Sequence, residues 1–141
     1  MFLIELRYPK DKRAPSNRAF LESVRKGDFR GYTTIYNLFE ICGILSFNLS
    51  PQYLEEIFLG FSERFNVTVL FPEDGEKICF EPERVFDFLR RRMSFGDALI
   101  ADVLRKHRHS LDAFVTWNEK HFRNRIPLPV VNPCLIQQQK D

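Results

Sequence analysis

Residues 94–106, with the sequence SFGDALIADVLRK, contain the pattern on which the predicted fold depends. Four large apolar residues recur there at helical spacing and give one face: Leu99, Ile100, Val103 and Leu104. Ser94 precedes Asp97 by three residues, a spacing typical of a capping box at the start of a helix. We therefore predict a helix that begins at Ser94 and carries a carboxylate in its first turn.

Helices and short apolar strands alternate on both sides of this segment. Upstream, the pattern predicts helices over 16–26, 52–65 and 81–92, a helix capped by Thr33 or Thr34, a strand over 67–71 and a turn at Asp74 and Gly75. Downstream, it predicts a buried strand over 112–117, a turn over 118–122 and a last strand at Val130 and Val131. This order predicts an α/β fold with a short parallel sheet flanked by helices. Functional residues are expected beyond the carboxyl ends of such strands.

The composition limits the class of protein. The chain has 141 residues, of which 44% are hydrophobic and 28% charged, and this predicts one globular domain over 1–141. No apolar run reaches the roughly 18 residues of a membrane helix, and the first residues do not resemble a secretory signal. The three cysteines lack the spacing of a zinc motif. We therefore expect a cytoplasmic protein with no membrane segment.

The overall charge does not predict a nucleic-acid-binding protein, because the net charge is only +2. Basic residues do cluster locally, at 90–92, 105–109 and 120–125. Each cluster either contacts phosphate groups or forms a solvated helix face. The sequence leaves both interpretations open.

Glu40 and Asp97 are the acidic residues whose positions favour a shared site. Asp97 lies in the first turn of the predicted helix, where a carboxylate also serves as a cap. Glu40 lies on the narrow polar strip of an otherwise apolar helix, and the alternative there is a plain exposed glutamate. Asp102 follows Asp97 by more than one helical turn, so it is predicted to face elsewhere, in a structural or supporting role. Carboxylates that converge in this way suit Mg²⁺ or Mn²⁺, which prefer oxygen ligands.

Two residues at the end of the 112–117 strand are further candidates. Asn118 follows the strand directly, and it either caps the next turn or presents its side-chain oxygen to a ligand. Thr116 either orients a metal-bound water or bonds its neighbours in the strand. Both alternatives stay open for each residue.

Three segments of the chain resemble blocks of the PIN-domain ribonucleases of the VapC toxin type. They are YTTIYNLFEICGIL at 32–45, SFGDALIADVLRK at 94–106, and DAFVTWNEKHF followed by IPLPVVNP between 112 and 133. In the family, the first block carries an acid that matches Glu40, and the second carries an acid that matches Asp97. The third contains T-x-D/N-x-x-H/D-F, which matches Thr116, Asn118 and Phe122.

The resemblance covers residues 16–133 and implies a three-layer PIN-like fold. It also implies a metal-dependent endoribonuclease that cleaves single-stranded RNA with Mg²⁺ or Mn²⁺. Glu40 and Asp97 would bind the metal. Asn118 would hold a water or the metal, and Thr116 would belong to the same catalytic set.

The resemblance also implies partners. Many such proteins belong to toxin–antitoxin pairs, so a small antitoxin protein and a second copy of the chain are expected. Lys120 and Arg123 would contact RNA phosphates. Phe58, Phe61 and Phe65 either pack in the core or contribute to a partner surface.

The chain departs from the family at its amino terminus. PIN domains open with an apolar strand that ends in Asp, whereas this chain has no Asp before Asp11, and Glu5 lies out of place. We therefore predict a first strand that is truncated or atypical, and the lack of the first catalytic Asp leaves open whether the activity is impaired. Translation from an upstream start is the favoured explanation, because loss of a central strand leaves sheet edges unpaired. The alternative functions are a non-catalytic PIN-like module that binds RNA or a partner protein, and an unrelated α/β domain.

Overall fold

The structure, a computed structural model, describes residues 1–73 and 78–138. Its helices are α1 (Phe2–Arg7), α2 (Ala14–Arg25), α3 (Ile35–Ser46), α4 (Pro51–Leu59), α5 (Phe61–Phe65), α6 (Pro82–Arg90), α7 (Phe95–Lys106), α8 (Glu119–Phe122) and α9 (Pro133–Gln138), with a 3₁₀ turn at Arg108–Ser110. Its strands are β1 (Gly31–Thr34), β2 (Val67–Leu70), β3 (Phe114–Val115) and β4 (Val130–Val131). The turn predicted at Asp74 and Gly75 lies outside the described residues.

The strands form two separate parallel pairs. β1 pairs with β2, and β3 pairs with β4. The register places Gly31 opposite Val67, Thr34 opposite Leu70, Phe114 opposite Val130 and Val115 opposite Val131. The α/β class with short parallel strands flanked by helices is therefore confirmed. In the described residues no strand precedes α1, and the first strand along the chain is β1.

The chain has two apolar cores, and strand β3 packs against both, with Val115 against the first and Phe114 against the second. One core joins α1, α2, α3 and α5 around the fully buried rings of Phe61 and Phe65. The other joins α6, α7 and α8 around residues such as Phe88, Ile100 and Phe122. Gly31 lets the first core close, because a Cβ there would meet Val24 Cγ1 at 2.5 Å and Val67 Cγ1 at 2.8 Å. Packing around β1 therefore requires glycine at this position.

Side-chain caps begin the helices that carry candidate residues. Thr34 accepts a hydrogen bond from the Asn37 N–H at the start of α3, and Ser94 accepts one from the Asp97 N–H at the start of α7. Both caps satisfy N–H groups that the first helical turn leaves unpaired. The predicted starts at Thr34 and Ser94 are confirmed.

Several predicted boundaries were wrong. The helix over 52–65 is two helices, which meet at Gly60, a residue with poor helix propensity. The 112–117 strand pairs over only Phe114–Val115, because its partner β4 is only two residues long. Residues 119–122 form the short helix α8 and not a plain turn. Helices α1 and α9 and strand β1 were not predicted, because each is too short to show a period.

In the residues that the structure describes, no helix has both the length and the apolar character needed to cross a membrane.

Candidate functional site

Three elements bring candidate residues together: the first turn of α7, the segment that follows β3, and the polar strip of α3. Asp97 lies in the first turn of α7. His121 Nδ1 lies 3.1 Å from Asp97 Oδ2 and 2.8 Å from Asn118 Nδ2. The predicted pair of Asp97 and Asn118 therefore shares one imidazole, although the two residues come from elements 21 positions apart in the printed sequence.

The proton on the His121 ring determines how this cluster bonds. One ring nitrogen cannot donate to Asp97 and at the same time accept from the Asn118 amide. A carboxylate can only accept, so the contact with Asp97 requires a proton on Nδ1 of His121. The oxygen and nitrogen of the Asn118 amide exchange places by rotation, and Asn118 then presents its oxygen to that N–H. In this arrangement Asp97 and Asn118 both accept from His121.

Thr116 and Asn118 form the turn that leads from β3 into α8. The Thr116 Oγ1 accepts a hydrogen bond from the Asn118 N–H at 3.0 Å. Asn118 is the residue before α8, but its side chain makes no capping hydrogen bond. Of the two interpretations of Thr116, the structure therefore supports bonding to a neighbour, while the Asn118 side chain points to His121 and is not used as a cap.

Glu40 is exposed on α3, as its place on the polar strip predicted. Loss of hydration raises the pKa of its carboxyl group, and the negative charge of Asp97 raises it further. The amino group of Met1 acts in the opposite direction. The sensitivity of Glu40 to Asp97 indicates that these two carboxylates lie in one electrostatic neighbourhood.

The amino group of Met1 adjoins this neighbourhood. Burial lowers its pKa to about 6, and the positive charge of Arg13 lowers it as well, while Glu40 and Asp11 oppose the shift. Asn17, which is fully buried, donates from Nδ2 to the Met1 carbonyl and accepts from Trp117 Nε1. Met1 is therefore fixed beside the residues that follow β3.

Neither early acid of the chain joins the site. Asp11 accepts from Arg13 Nε at 2.9 Å and Nη2 at 2.7 Å, and these bonds hold the pKa of Asp11 well below its usual range. Glu5, on α1, faces Arg18 at 3.7 Å and Arg25 at 4.0 Å. Both acids are engaged by arginines, so neither replaces the Asp that the resemblance leads one to expect.

Asp102 faces away from the site, as its position predicted. It is 1% exposed, and its Oδ1 lies 3.1 Å from Arg84 Nε on α6. The same Arg84 reaches Glu81 at 2.8 Å. Asp102 therefore connects α7 to α6 and has a structural role.

The basic residues divide into two groups. Lys106 donates from Nζ to the Pro72 carbonyl at 2.6 Å, and His107 Nε2 lies 3.0 Å from the Phe71 carbonyl, so these two residues hold the end of β2. Lys120 and Arg123 are exposed on and after α8, and Arg123 pairs with Glu119. Lys120 and Arg123 thus flank His121 along the chain.

The ligand set for a metal ion is incomplete. Among residues 1–73 and 78–138, no three His, Cys, Asp or Glu side chains converge as a potential metal group. Glu40 and Asp97 supply two carboxylates, and Mg²⁺ in proteins is often held by one or two carboxylates while it keeps several waters. The described residues therefore form no closed metal cage, and an ion held by these two carboxylates would have to keep most of its waters.

The sequence analysis missed His121. The three histidines do not have the spacing of a metal motif, so none was predicted as a site residue. Two signals were present: His121 stands at the H/D position of the third block, and it follows Asn118 by three residues, which is one turn of a helix. A search for partners of Asp97 would have found it.

Comparison with known proteins identifies no family: no protein-family model matches the chain, and no curated protein or solved structure is significantly similar to it.

Proposed function

We propose that this chain is a PIN-like, metal-dependent endoribonuclease of the toxin–antitoxin type that cleaves single-stranded RNA in the cytoplasm. The observation that carries the proposal is the cluster of Asp97, His121 and Asn118. The negative charge of Asp97 also raises the pKa of Glu40, after the larger effect of lost hydration. The cluster lies just beyond the carboxyl end of β3, where parallel α/β folds bind ligands. Grouped acids with one amide suit a hydrated Mg²⁺ or Mn²⁺.

The chain's own residues have separate tasks in this proposal. Glu40 and Asp97 hold the ion, which when bound supplies an activated water and neutralises charge on the phosphate. His121 fixes the rotamer of Asp97 by donating from Nδ1 to Oδ2. Thr116 fixes the turn that carries Asn118, and the Asn118 oxygen orients a water. Since a third acid is lacking among the described residues, we expect a weak activity.

The exposed cations after the site suit an RNA backbone. Lys120 and Arg123 would contact phosphates on either side of the cut. Arg123 already pairs with Glu119, so binding a phosphate would cost it that ion pair. Its contribution to RNA affinity should therefore be smaller than that of Lys120. Binding of this kind weakens with salt, because phosphate contacts release counterions.

An apolar patch on α3 and α4 supports a protein partner. Phe39 and Phe58 stack there with ring centroids 5.9 Å apart and an interplanar angle of 3°. Phe47, directly after α3, is 87% exposed, and Leu59, at the end of α4, is 72% exposed. Large exposed apolar side chains of this kind are typical of interaction sites. A small antitoxin or a second copy of the chain would cover this patch. Phe61 and Phe65, by contrast, belong to the core.

The second candidate function is a non-catalytic PIN-like module that binds RNA or a partner protein. It is favoured by the finding that no three His, Cys, Asp or Glu side chains converge as a metal group among the described residues. In this alternative, Lys120 and Arg123 bind RNA and no bond is broken.

RNA cleavage with matched variants tests the proposal. A fluorescent single-stranded RNA is incubated with the chain and Mn²⁺, with EDTA, and with the variants Asp97→Asn and Glu40→Gln. The proposal expects cleavage that needs Mn²⁺ and that falls on the order of 100-fold or more in either variant, as loss of a metal contact does. Asp87→Asn and Glu55→Gln, which remove acids from the surfaces of α6 and α4, serve as controls and keep full activity.

The outcomes separate the two candidates. Cleavage that survives EDTA, or that falls equally in the control variants, contradicts a metal site at Glu40 and Asp97. A folded chain that binds the RNA and cleaves none of it supports the binding module. In that case, replacing Lys120 with Ala weakens binding, whereas Asp97→Asn leaves it unchanged or strengthens it by removing a negative charge.

A further inference from the structure

Two exposed aromatic rings contact each other at the start of α7. Phe80, which precedes α6, is 43% exposed, and Phe95, the first residue of α7, is 56% exposed. The ring centroids of this aromatic pair, Phe80 and Phe95, are 6.2 Å apart with an interplanar angle of 78°, an edge-to-face contact. Each ring therefore supports the other and still presents a large part of its surface to solvent.

The aromatic pair adjoins the candidate site. Phe95 and Asp97 share the first turn of α7, and a helix places Cα atoms two residues apart about 5.4 Å from each other. The segment that carries the other ring is bonded to α3, because the Tyr36 O–H donates to the Cys79 carbonyl at 3.4 Å. Tyr36 precedes Glu40 by four residues, so the two share one face of α3. The pair is thus connected to both helices that carry the candidate acids.

A cation without an ion-pair partner precedes the aromatic pair. In the basic run 90–92, nitrogens of Arg90 and Arg91 lie 3.7 Å and 3.5 Å from the carboxylate oxygens of Asp87. Arg92 is exposed and forms no ion pair within residues 1–73 and 78–138. Its φ is 62°, a left-handed conformation that glycine adopts more easily after a helix. An unpaired guanidinium therefore stands three residues before Phe95 at a position that favours glycine.

Exposed aromatic faces beside a guanidinium are suited to single-stranded nucleic acid. Bases stack on aromatic side chains, and the stacking tolerates any sequence because every base has a π-face. Unpaired bases can be splayed out onto such rings, whereas a duplex keeps its bases stacked on one another. A guanidinium binds phosphate through two parallel hydrogen bonds. Trp117 is less available for stacking, because Asn17 holds its Nε1 and the Arg13 guanidinium lies 5.9 Å from its ring centroid.

We propose that the aromatic pair and Arg92 form a subsite for one nucleotide of single-stranded RNA, beside the nucleotide that lies at Asp97. A base stacks on Phe95, whose ring Phe80 supports, and the phosphate of that nucleotide binds the Arg92 guanidinium. The subsite accepts any unpaired base and does not accept a base within a duplex. It rests on the proposed function, because that function brings RNA to Asp97.

RNA binding in EDTA tests the subsite separately from metal-dependent cleavage. The probe is a fluorescein-labelled oligouridine of about ten nucleotides, within the roughly 4 to 16 that single-strand sites cover, and fluorescence anisotropy at low salt gives Kd. Phe95→Leu keeps an apolar side chain but removes the π-face, so we expect Kd to rise about tenfold, as loss of one stacking contact does. Phe86→Leu changes a phenylalanine of α6 that is 60% exposed and lies outside the pair. This matched control should leave Kd unchanged.

Two further arms separate stacking from charge. An abasic oligomer of the same length should bind more weakly than the oligouridine, and Phe95→Leu should not weaken it further, because no base can stack. Arg92→Gly removes the guanidinium and relaxes the left-handed backbone, so its urea midpoint should be no lower than that of the unmodified chain. The same variant should reduce the slope of log affinity against log salt by about 1. A loss of affinity in Arg92→Gly is then not a loss of folding.

Every result decides the proposal. An unchanged Kd in Phe95→Leu, an equal loss in Phe86→Leu, equal binding of the abasic oligomer, or no binding by the unmodified chain overturns the subsite. If Phe95→Leu does not fold, the abasic oligomer and Arg92→Gly decide. Cleavage with Mn²⁺ is measured on the same proteins. Cleavage without dependence of Kd on Phe95 refutes the subsite and leaves the proposed function standing, whereas Phe95-dependent binding without cleavage supports the subsite and refutes the proposed activity.

Discussion

Helix α7 carries two aspartates five residues apart, and they have different neighbours. Asp97, in the first turn, contacts the exposed His121, and its negative charge raises the pKa of Glu40. Asp102, in the middle of the helix, is buried against Arg84. Asp97 is thus available to a ligand, whereas Asp102 joins α7 to α6. The role of each aspartate therefore depends on which element covers it and not on the helix that carries it.

The Asp102 region depends on a pair of charges in an apolar surrounding. Its Oδ1 lies near Arg84 Nε, but the angle does not make a hydrogen bond, and neither Asp102 oxygen has a hydrogen-bond partner among the described residues. Attraction between the two charges therefore has to offset the loss of their hydration. Removing Arg84 leaves Asp102 buried without compensation, whereas removing Asp102 leaves Arg84 with Glu81 as its remaining counter-charge.

The largest expected effect is on this pair. Asp102→Asn should lower the free energy of unfolding by about 3 kcal/mol, because the Arg84 guanidinium loses its buried counter-charge and keeps only the exposed Glu81. Urea unfolding followed by circular dichroism measures the change. Asp97→Asn on the same helix is the control and should cost less than about 1 kcal/mol, because its ion-pair partner His121 is exposed and no buried charge is left unpaired.

A double variant sharpens this prediction. Arg84→Met combined with Asp102→Leu removes both charges and keeps apolar volume, and such replacements of buried pairs are often neutral or stabilising. We expect most of the stability to return. A double variant as unstable as Asp102→Asn would show that the loss arises from packing and not from an unpaired charge.

Sequence periodicity could predict that Asp97 and Asp102 face different surroundings, but it could not predict which residues they contact. Five residues of an α-helix turn the side chain by about 140°, so Asp97 and Asp102 had to face different surroundings. The caps at Thr34 and Ser94 were predictable for a similar reason, since they involve residues three apart. Arg84 and His121 reach α7 from other helices, and no local pattern specifies which helices pack together. The two-residue strands β3 and β4 exist only through their pairing, so their lengths could not be read from either segment alone.

The stability of the fold should also respond to pH through the Met1 amine, which lies in the electrostatic field of Glu40. The pKa of this group is about 6 in the folded chain and 8.0 as its ordinary value. The unfolded chain then binds more protons between these values, so the free energy of unfolding should rise as pH increases from 6 to 8. The full rise is about 2 to 3 kcal/mol. Urea unfolding at several pH values measures it.

Acetylation of the amino terminus provides the control for this pH effect. An acetylated chain carries no titrating group at Met1, and its stability should be flat where that of the free amine rises. Glu40 contributes with the opposite sign: its pKa is raised above 4.5 in the fold, so its stabilising effect is lost as pH rises through that raised value. Glu40→Gln in both chains removes this second slope. A rise that persists after acetylation would contradict the assignment to Met1.

The smallest expected effect is the coupling between Asp97 and His121. Their side chains are 19% and 55% exposed, and their contact is 3.1 Å. Exposed pairs of this kind contribute at most about 1 kcal/mol. A double-mutant cycle with Asp97→Asn and His121→Gln measures the coupling, and the cycle of Asp102→Asn and Arg84→Met gives the buried comparison. We expect the buried coupling to exceed the exposed one several-fold.

The ratio of the Asp97–His121 coupling to the Asp102–Arg84 coupling shows how readily Asp97 can turn to a ligand. A carboxylate that is bound weakly by its own protein loses little when it turns to a cation or a phosphate-bound ion. If Asp97 and His121 couple as strongly as Asp102 and Arg84, Asp97 is held as firmly as a structural residue, and both aspartates of α7 serve the fold. A coupling near zero would instead leave His121 free to move, and then Asn118 alone would fix its ring.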